Sequence, residues 1–426
     1  MKKIALVPID DRPVCYNLPK LITETDNNNK IFLPDINIMG GLKKSADTDA
    51  ILEWLHELDD IDIIVLSLDT IAYGGLIPSR RSNEDFNIIK KRIDKLKRIL
   101  KTKKSEIYAF SSIMRISNNN INEEEKEYWS EWGKKIFEYS YNLHRSKKKI
   151  IIPEEILNDY LNTRKRNFEI NKYYIELKKQ GIFNTLVFSK DDCSEYGLNV
   201  REAEELKTLS ENIEDIYIKT GADEIPVSLI SRALNKGKKI RIHPVYTVPE
   251  AINKISKYED ISVETSVNSQ IELSGGIISS YDEADLILLI NNFKNEQGEL
   301  VMNIFEPGYK NDLELPDKPY FIADILNANG SDNNFVENLL KKDLNTDFYG
   351  YAAWNTTGNT LGSTLAAALT YYGAKQKNTD IFKKLQLIRF LDDWGYQANL
   401  RKKIKENKIN DESKLLKSKM YKFRSE

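Results

Sequence analysis

Ile4-Ala5-Leu6-Val7-Pro8-Ile9 is a continuous apolar run, and Asp10-Asp11-Arg12-Pro13 follows it at once. A strand with one wet face would alternate apolar and polar residues. This run does not, which marks a strand covered on both faces. The pairing of a short apolar run with a polar tip recurs along the chain. Residues 3–9, 30–33, 62–68, 106–111, 185–188, 215–219, 239–243, 285–290, 320–323 and 349–353 form ten expected strands. Helix-patterned stretches lie between them, among them 85–101, 123–141, 200–210 and 227–234. Buried strands alternating with helices specify an α/β fold of mostly parallel strands.

Ligands bind such folds at the carboxyl ends of the strands, so those ends carry the functional information. The first gives Asp10, Asp11 and Arg12. The third gives Asp69 and then Tyr73-Gly74-Gly75, with Arg80 beyond, and the fourth leads through Ser111-Ser112 to Arg115. Asp191 and Asp192 follow the fifth, with Tyr196 close behind; Asp223 and Glu224 follow the sixth, and His243 ends the seventh. The last leads into Trp354-Asn355-Thr356-Thr357-Gly358-Asn359. Charged tips on so many strands favour a TIM-barrel-like closure, which aims every strand end at one axis, over an open doubly wound sheet. The expected organisation is one α/β unit over residues 1–375 with a helical insertion at about 120–180. A charge-rich helical extension follows over 376–426.

Composition narrows the chemistry. Lys and Arg number 63 against 65 Asp and Glu, a formal net charge of −2, which gives no basic surplus for a nucleic acid. No apolar stretch reaches a membrane span, and the N-terminal run is too short for a signal peptide, so a cytoplasmic protein is expected. Three histidines and two cysteines, none at metal-ligand spacing, make neither a zinc site nor a disulfide framework. The expectation is therefore a carboxylate-based reaction without metal or other cofactor.

Each tip also has an ordinary structural reading. Asp10-Asp11-Arg12-Pro13 can be a turn with an internal ion pair. Tyr73-Gly74-Gly75 lacks the spacing of a nucleotide fingerprint, and its glycines admit either a ligand or a neighbouring chain. Arg115 calls for an acidic partner or an anion. Thr356 or Asn355 can cap the apolar helix that follows, and Asp223 can cap the one after the sixth strand. His243 is a structural residue or a ligand contact. Asp191 and Asp192 are the sharpest candidates, because crowded carboxylates push one pKa upward and so separate acid from base.

As a set, Asp-Asp-Arg-Pro, Asp-x3-Tyr-Gly-Gly-Leu, Asp-Asp-x3-Tyr-Gly, Gly-Ala-Asp-Glu and Trp-Asn-Thr-x-Gly-Asn-Thr-Leu-Gly resembles a bacterial family called domain of unknown function 4127 (DUF4127). Arg164, Arg166 and Asn167 look like a further family element. The resemblance implies a cytosolic bacterial α/β protein and brings no activity with it.

The leading expectation is a carbohydrate-active hydrolase of glycosidase type whose partner is a small sugar. Asp191 and Asp192 are its catalytic pair, with Asp69 and Glu224 in reserve. Asp10, Asp11, Arg12, Tyr73, Gly74, Gly75, Arg115, Tyr196, Asp223, His243, Trp354, Asn355, Thr356 and Asn359 are its expected substrate contacts. A second reading is a Mg²⁺- or Mn²⁺-dependent hydrolase or phosphoryl-group enzyme using Asp10, Asp11, Asp69 and Asp192, with Arg80 and Arg115 on an anion. A third is a non-catalytic sugar- or metabolite-binding protein.

Overall fold

A computed structural model describes residues 1–145, 150–310, 312–342, 344 and 346–405. Contacts divide the chain into two compact units, Met1–Ala233 with Tyr258–Asp260, and Leu234–Lys257 with Ile261–Glu426. The expected boundary at residue 375 is thus not where the contacts part, because each unit holds a sheet and core of its own.

The first unit is built on β1 (Lys2–Val7), β2 (Asn29–Phe32), β3 (Ile63–Ser67), β4 (Glu106–Ile113), β5 (Thr185–Lys190) and β6 (Ile216–Thr220). All pair in parallel, in the order β2-β1-β3-β4-β5-β6. All five residues of β3 are buried, as its unbroken apolar run requires. The helix Phe86–Thr102 shows how sequence sets the covering layer. Asp85 caps its start by accepting from the amides of Asn87 and Ile88 at 2.8 and 3.0 Å. Ile89, Ile93, Leu96 and Leu100 then recur at helical spacing and bury against Ala5, Val7, Ile64 and Leu66. The region expected as an insertion contains the helices Trp129–His144 and Glu154–Lys179. It carries a small core of Met114, Ile116, Trp129, Ile136 and Tyr160. Its first helix begins at Trp129 rather than at 123, and residues 114–128 form an irregular loop.

The second unit contains β7 (Arg241–Tyr246), β8 (Ile277–Ile278), β9 (Leu286–Asn291), β10 (Gly298–Glu299), β11 (Tyr320–Asp324), β12 (Asn327–Ala328) and β13 (Phe348–Ala352). Its main sheet runs β13-β11-β9-β7-β8, again all parallel, and β10 pairs with β12 separately. Alternate residues of β9 serve opposite layers. Leu286, Leu288 and Ile290 meet the helices Val263–Leu273 and Thr357–Tyr372, while Ile287 and Leu289 pack with Phe335, Leu339 and Phe390. The C-terminal extension is helical through Thr379–Arg389, a π-helical stretch Phe390–Leu400, and Arg401–Lys405; residues 406–426 lie outside the described residues. Among the described residues no helix is long and apolar enough to cross a membrane.

All ten expected strands are present, and the parallel α/β class holds. Neither strand order is the sequential one of a TIM barrel, because β2 and β8 each lie on the far side of the strand that precedes them. Both are doubly wound orders, with a first strand flanked by its successor on one side and by all later strands on the other.

Phe188, fully buried in β5 within the core of the first unit, tests this packing. Phe188→Ala should cost about 3–5 kcal/mol, read as a fall in the urea midpoint.

Candidate active site

β1 ends in Pro8-Ile9 and delivers Asp10, Asp11 and Arg12 just before the helix Pro13–Thr23. Pro13 occupies the first helical turn, and Arg12 stands at the N-cap without a side-chain cap bond, so its guanidinium is free to reach elsewhere. It donates to Asp10 through Nε at 2.8 Å and forks onto both oxygens of Asp223 at 3.0 and 2.7 Å. The internal ion pair expected within Asp10-Asp11-Arg12-Pro13 is therefore real, and Asp223 completes it. Burial raises the Asp10 pKa, against the pull of Arg12. Asp11 is exposed beside Gly41.

That fork has a consequence for the sheet. Four strand steps separate β1 from β6, about 19 Å in a flat sheet. Arg12, just after β1, nevertheless grips Asp223, just after β6. Twist and the loops over the carboxyl edge draw those tips together, so the convergence expected of a barrel is reached within one doubly wound sheet.

The strands between them supply the rest. Arg80, on the short helix Leu76–Arg81 beyond β3, is 2% exposed and donates to Glu125 at 3.0 Å and to Asp191 at 3.4 Å. Arg115, just past β4, has four carboxylate partners. Its Nε meets Glu125 at 3.1 Å, its Nη2 meets Glu124 at 2.5 Å, and its Nη1 meets Asp192 at 2.8 Å and Asp191 at 3.6 Å. Glu125 is a buried anchor whose Oε1 accepts from Arg80, Arg115 and the Ser117 hydroxyl. Burial, reinforced by the neighbouring Asp192, lifts the Asp191 pKa to about 7 even against Arg115 and Arg80. Glu124 moves the other way: burial pushes its pKa up, but Arg115, Arg80 and Arg12 together hold it below its ordinary value. Asp192 adopts φ = 31°, a left-handed conformation uncommon outside glycine and a recurrent feature of functional sites. Tyr196, on the same loop, meets Tyr141 and His144 edge-on.

Other expected site residues of this unit act as supports. Asp69 accepts from the Ser112 amide at 2.8 Å and the Ser111 hydroxyl at 3.4 Å, locking the end of β3 to β4; burial raises its pKa to about 6. Gly74 has φ = 84°, and a Cβ there would stand 2.7 Å from the Ser45 Cβ, so the glycines admit a neighbouring chain segment. Tyr73 is buried, with Arg166 over its ring at 5.3 Å. Glu224 is fully buried beneath its own loop, accepting from the Ala222 amide, which takes it out of reach of a substrate. The Thr163–Asn167 element holds the segments that carry the arginines. Arg166 and Asn167 donate to the Ser79 carbonyl, and Arg164 donates to the Met114 carbonyl at 2.7 Å.

These supports fall on the motifs that run through the chain in a fixed order. A family model described as Protein of unknown function (DUF4127) matches residues 4–425. The chain belongs to this family. No curated protein and no solved structure matches it. The converging tips of this DUF4127 member hold three arginines, Arg12, Arg80 and Arg115, against Asp10, Glu124, Glu125, Asp191, Asp192 and Asp223. Among the described residues no three His, Cys, Asp or Glu side chains are grouped to hold a metal ion. Asp10 is held by Arg12, Asp192 by Arg115, and Asp69 by Ser111 and Ser112.

The remaining expected contacts belong to the second unit and are described there. Trp354 is 6% exposed, and its amide and carbonyl are both bonded to the Thr360 hydroxyl at 2.8 Å. Thr356 caps the helix Thr357–Tyr372 by accepting from the Asn359 amide, and Asn355, with φ = 54°, accepts from the Asn329 amide. The stretch is a capped helix start; Asn359 is buried, and its Oδ1 has no partner among the described residues. His243 is bonded to the Ser279 carbonyl at 2.9 Å and packs edge-on with Tyr281. A polar cluster lies at the ends of β9, β11 and β13. There Asp324 accepts from Asn291 at 2.9 Å, the Asp332 amide at 2.7 Å and the Tyr351 hydroxyl at 3.1 Å. Burial beside Asp332 lifts the Asp324 pKa to about 7, and burial lifts Asp393 to about 6.

Two outcomes follow from this electrostatics. Removing the Glu125 carboxylate leaves the buried Arg80 without its best partner, so Glu125→Ala should cost about 3–5 kcal/mol in denaturant unfolding. Asp69, Asp191, Asp324 and Asp393 all have pKa values raised above that of an unfolded aspartate, about 4. The folded state then holds more protons than the unfolded one, and stability falls as pH rises from about 4 through 7. The thermal midpoint should be lower at pH 8 than at pH 5.

Proposed function

We propose that the converging tips form the active site of a two-carboxylate hydrolase acting on a glycosidic bond. The observation that carries this reading is Asp191, a carboxyl set beside Asp192 and between Arg80 and Arg115, whose burial lifts its pKa to about 7 and keeps a proton available near neutrality. Hydrolysis of a glycoside needs such a proton on the leaving oxygen, and a second carboxylate at the anomeric carbon. The Asp191 side chain is 16% exposed and that of Asp192 33%, which leaves both within reach of a bound molecule. Carboxylates and guanidinium groups side by side also suit vicinal hydroxyls, accepting from one and donating to the next. The substrate is accordingly a small sugar. The two buried free thiols, Cys15 and Cys193, fit a reducing cytoplasm.

Turnover of unmodified disaccharides and 4-methylumbelliferyl glycosides tests the reading. Asp191→Asn should lower kcat/KM by about 100-fold or more. Wild-type activity should fall as pH rises through about 7, where Asp191 loses the proton it must donate. Full activity in folded Asp191→Asn and Asp192→Asn proteins would sink the proposal.

A further inference from the structure

Residues 114–128 have no regular secondary structure, yet two adjacent side chains fix their course. Glu125 turns inward, 3% exposed, and clamps Arg80 and Arg115. Glu124 turns outward, 37% exposed, and is held by the Nη2 of the same Arg115. Neighbouring glutamates thus have different duties: one anchors the loop and the other is presented by it.

We propose that Glu124 is the general base of the reaction, activating the attacking water while Asp191 protonates the leaving oxygen. The assignment rests on the glycosidase reading and replaces Asp192 as the second carboxylate. Its geometric basis is Arg115, which meets Glu124 at one end nitrogen at 2.5 Å and Asp191 at the other at 3.6 Å. One guanidinium between them holds those oxygens no more than about 8.5 Å apart, a ceiling that admits the roughly 6.5–9.5 Å of inverting pairs as well as the shorter spacing of retaining ones, so the stereochemistry of the product decides between them. Asp192 approaches the nitrogen that also faces Asp191, and so lies on the acid's side of the arginine. The convergence of Arg115, Arg80 and Arg12 keeps Glu124 ionised when Asp191 is protonated.

In the step, water gives a proton to Glu124 as its oxygen bonds to the anomeric carbon. The bond from that carbon to the leaving oxygen breaks, its electron pair stays on that oxygen, and the Asp191 proton joins it. Glu124 ends protonated and Asp191 ionised, and exchange with solvent restores both.

Glycosides with a 2,4-dinitrophenol leaving group separate the two roles, because that group departs without a proton. Glu124→Gln should lose about 100-fold or more on both dinitrophenyl and unactivated glycosides, and lose the ascending limb of its pH profile. Asp191→Asn should lose activity only on the unactivated ones. Azide should restore turnover of the dinitrophenyl substrate by Glu124→Ala, as loss of a mere structural support would not permit. Folding is checked by urea unfolding, and Arg115 keeps three other carboxylates in either variant. If Glu124→Gln stays within tenfold of wild type while Asp191→Asn fails on unactivated substrates, the base assignment falls and the glycosidase reading survives. If neither variant loses activity, both fall. Product of retained configuration would also overturn the base assignment.

Discussion

A guanidinium does not give up its proton, so an arginine taken out of water must be neutralised by what packs around it. Arg115 meets this constraint with Glu124, Glu125, Asp191 and Asp192, contributed by two loops that follow neighbouring strands. Much of the first unit's carboxyl edge follows from that demand. Glu125 must turn inward, and an irregular loop can aim it there where a continued helix would not. Arg80 shares the same carboxylate and so brings the segment beyond β3 into the cluster. Asp191 is left as the carboxyl with the least favourable surroundings, which is why it retains a proton. Packing alone does not call for such an arrangement, since well-packed apolar side chains are often as stable as buried ion pairs.

The strands were legible because their signal is local: an unbroken run such as Ile63-Ile64-Val65-Leu66 between turn signals reads as a strand covered on both faces. The polar tips of the first unit were legible for the same reason: Asp10, Arg12 and Asp223 form one contact group, and Arg115, Asp191 and Asp192 form another. Strand order was not legible, because it depends on which side of β1 the chain returns, and charged tips are compatible with either closure. The helix expected over 123–141 takes in Glu124 and Glu125, which instead lie in the irregular loop before it. The asparagine-rich stretch Asn118-Asn119-Asn120 just before them was the available sign that helix had not yet begun. Trp354 and Asn359 looked like a sugar platform because an aromatic, amides and glycines suit one. Those residue types also suit a tightly capped, buried helix start, and that is what they build.

The two sheets solve one local problem twice. In each, the third strand of the winding is tied to the fourth by a polar side chain at its end: Asp69 to Ser112 in one, Asn291 to Asp324 in the other. The outcomes differ in access. Around Asp324, the Ser331 and Tyr351 hydroxyls and the Asp332 amide close the network into a wholly buried knot. Around Asp69, the latch stays buried but the neighbouring tips remain partly open, through Arg12, Asp192 and Glu124.

The fork of Arg12 onto Asp223 joins residues 211 positions apart. Contacts of such separation form late, after the loop between them has been closed at entropic cost. During synthesis the first strand and its arginine emerge early and must wait for the sixth strand before the cluster can be neutralised. Until then Arg12 and Asp10 lack their third member. The N-terminal strands alone are therefore an incomplete fold, and the charged cluster is assembled in the same event that completes the sheet.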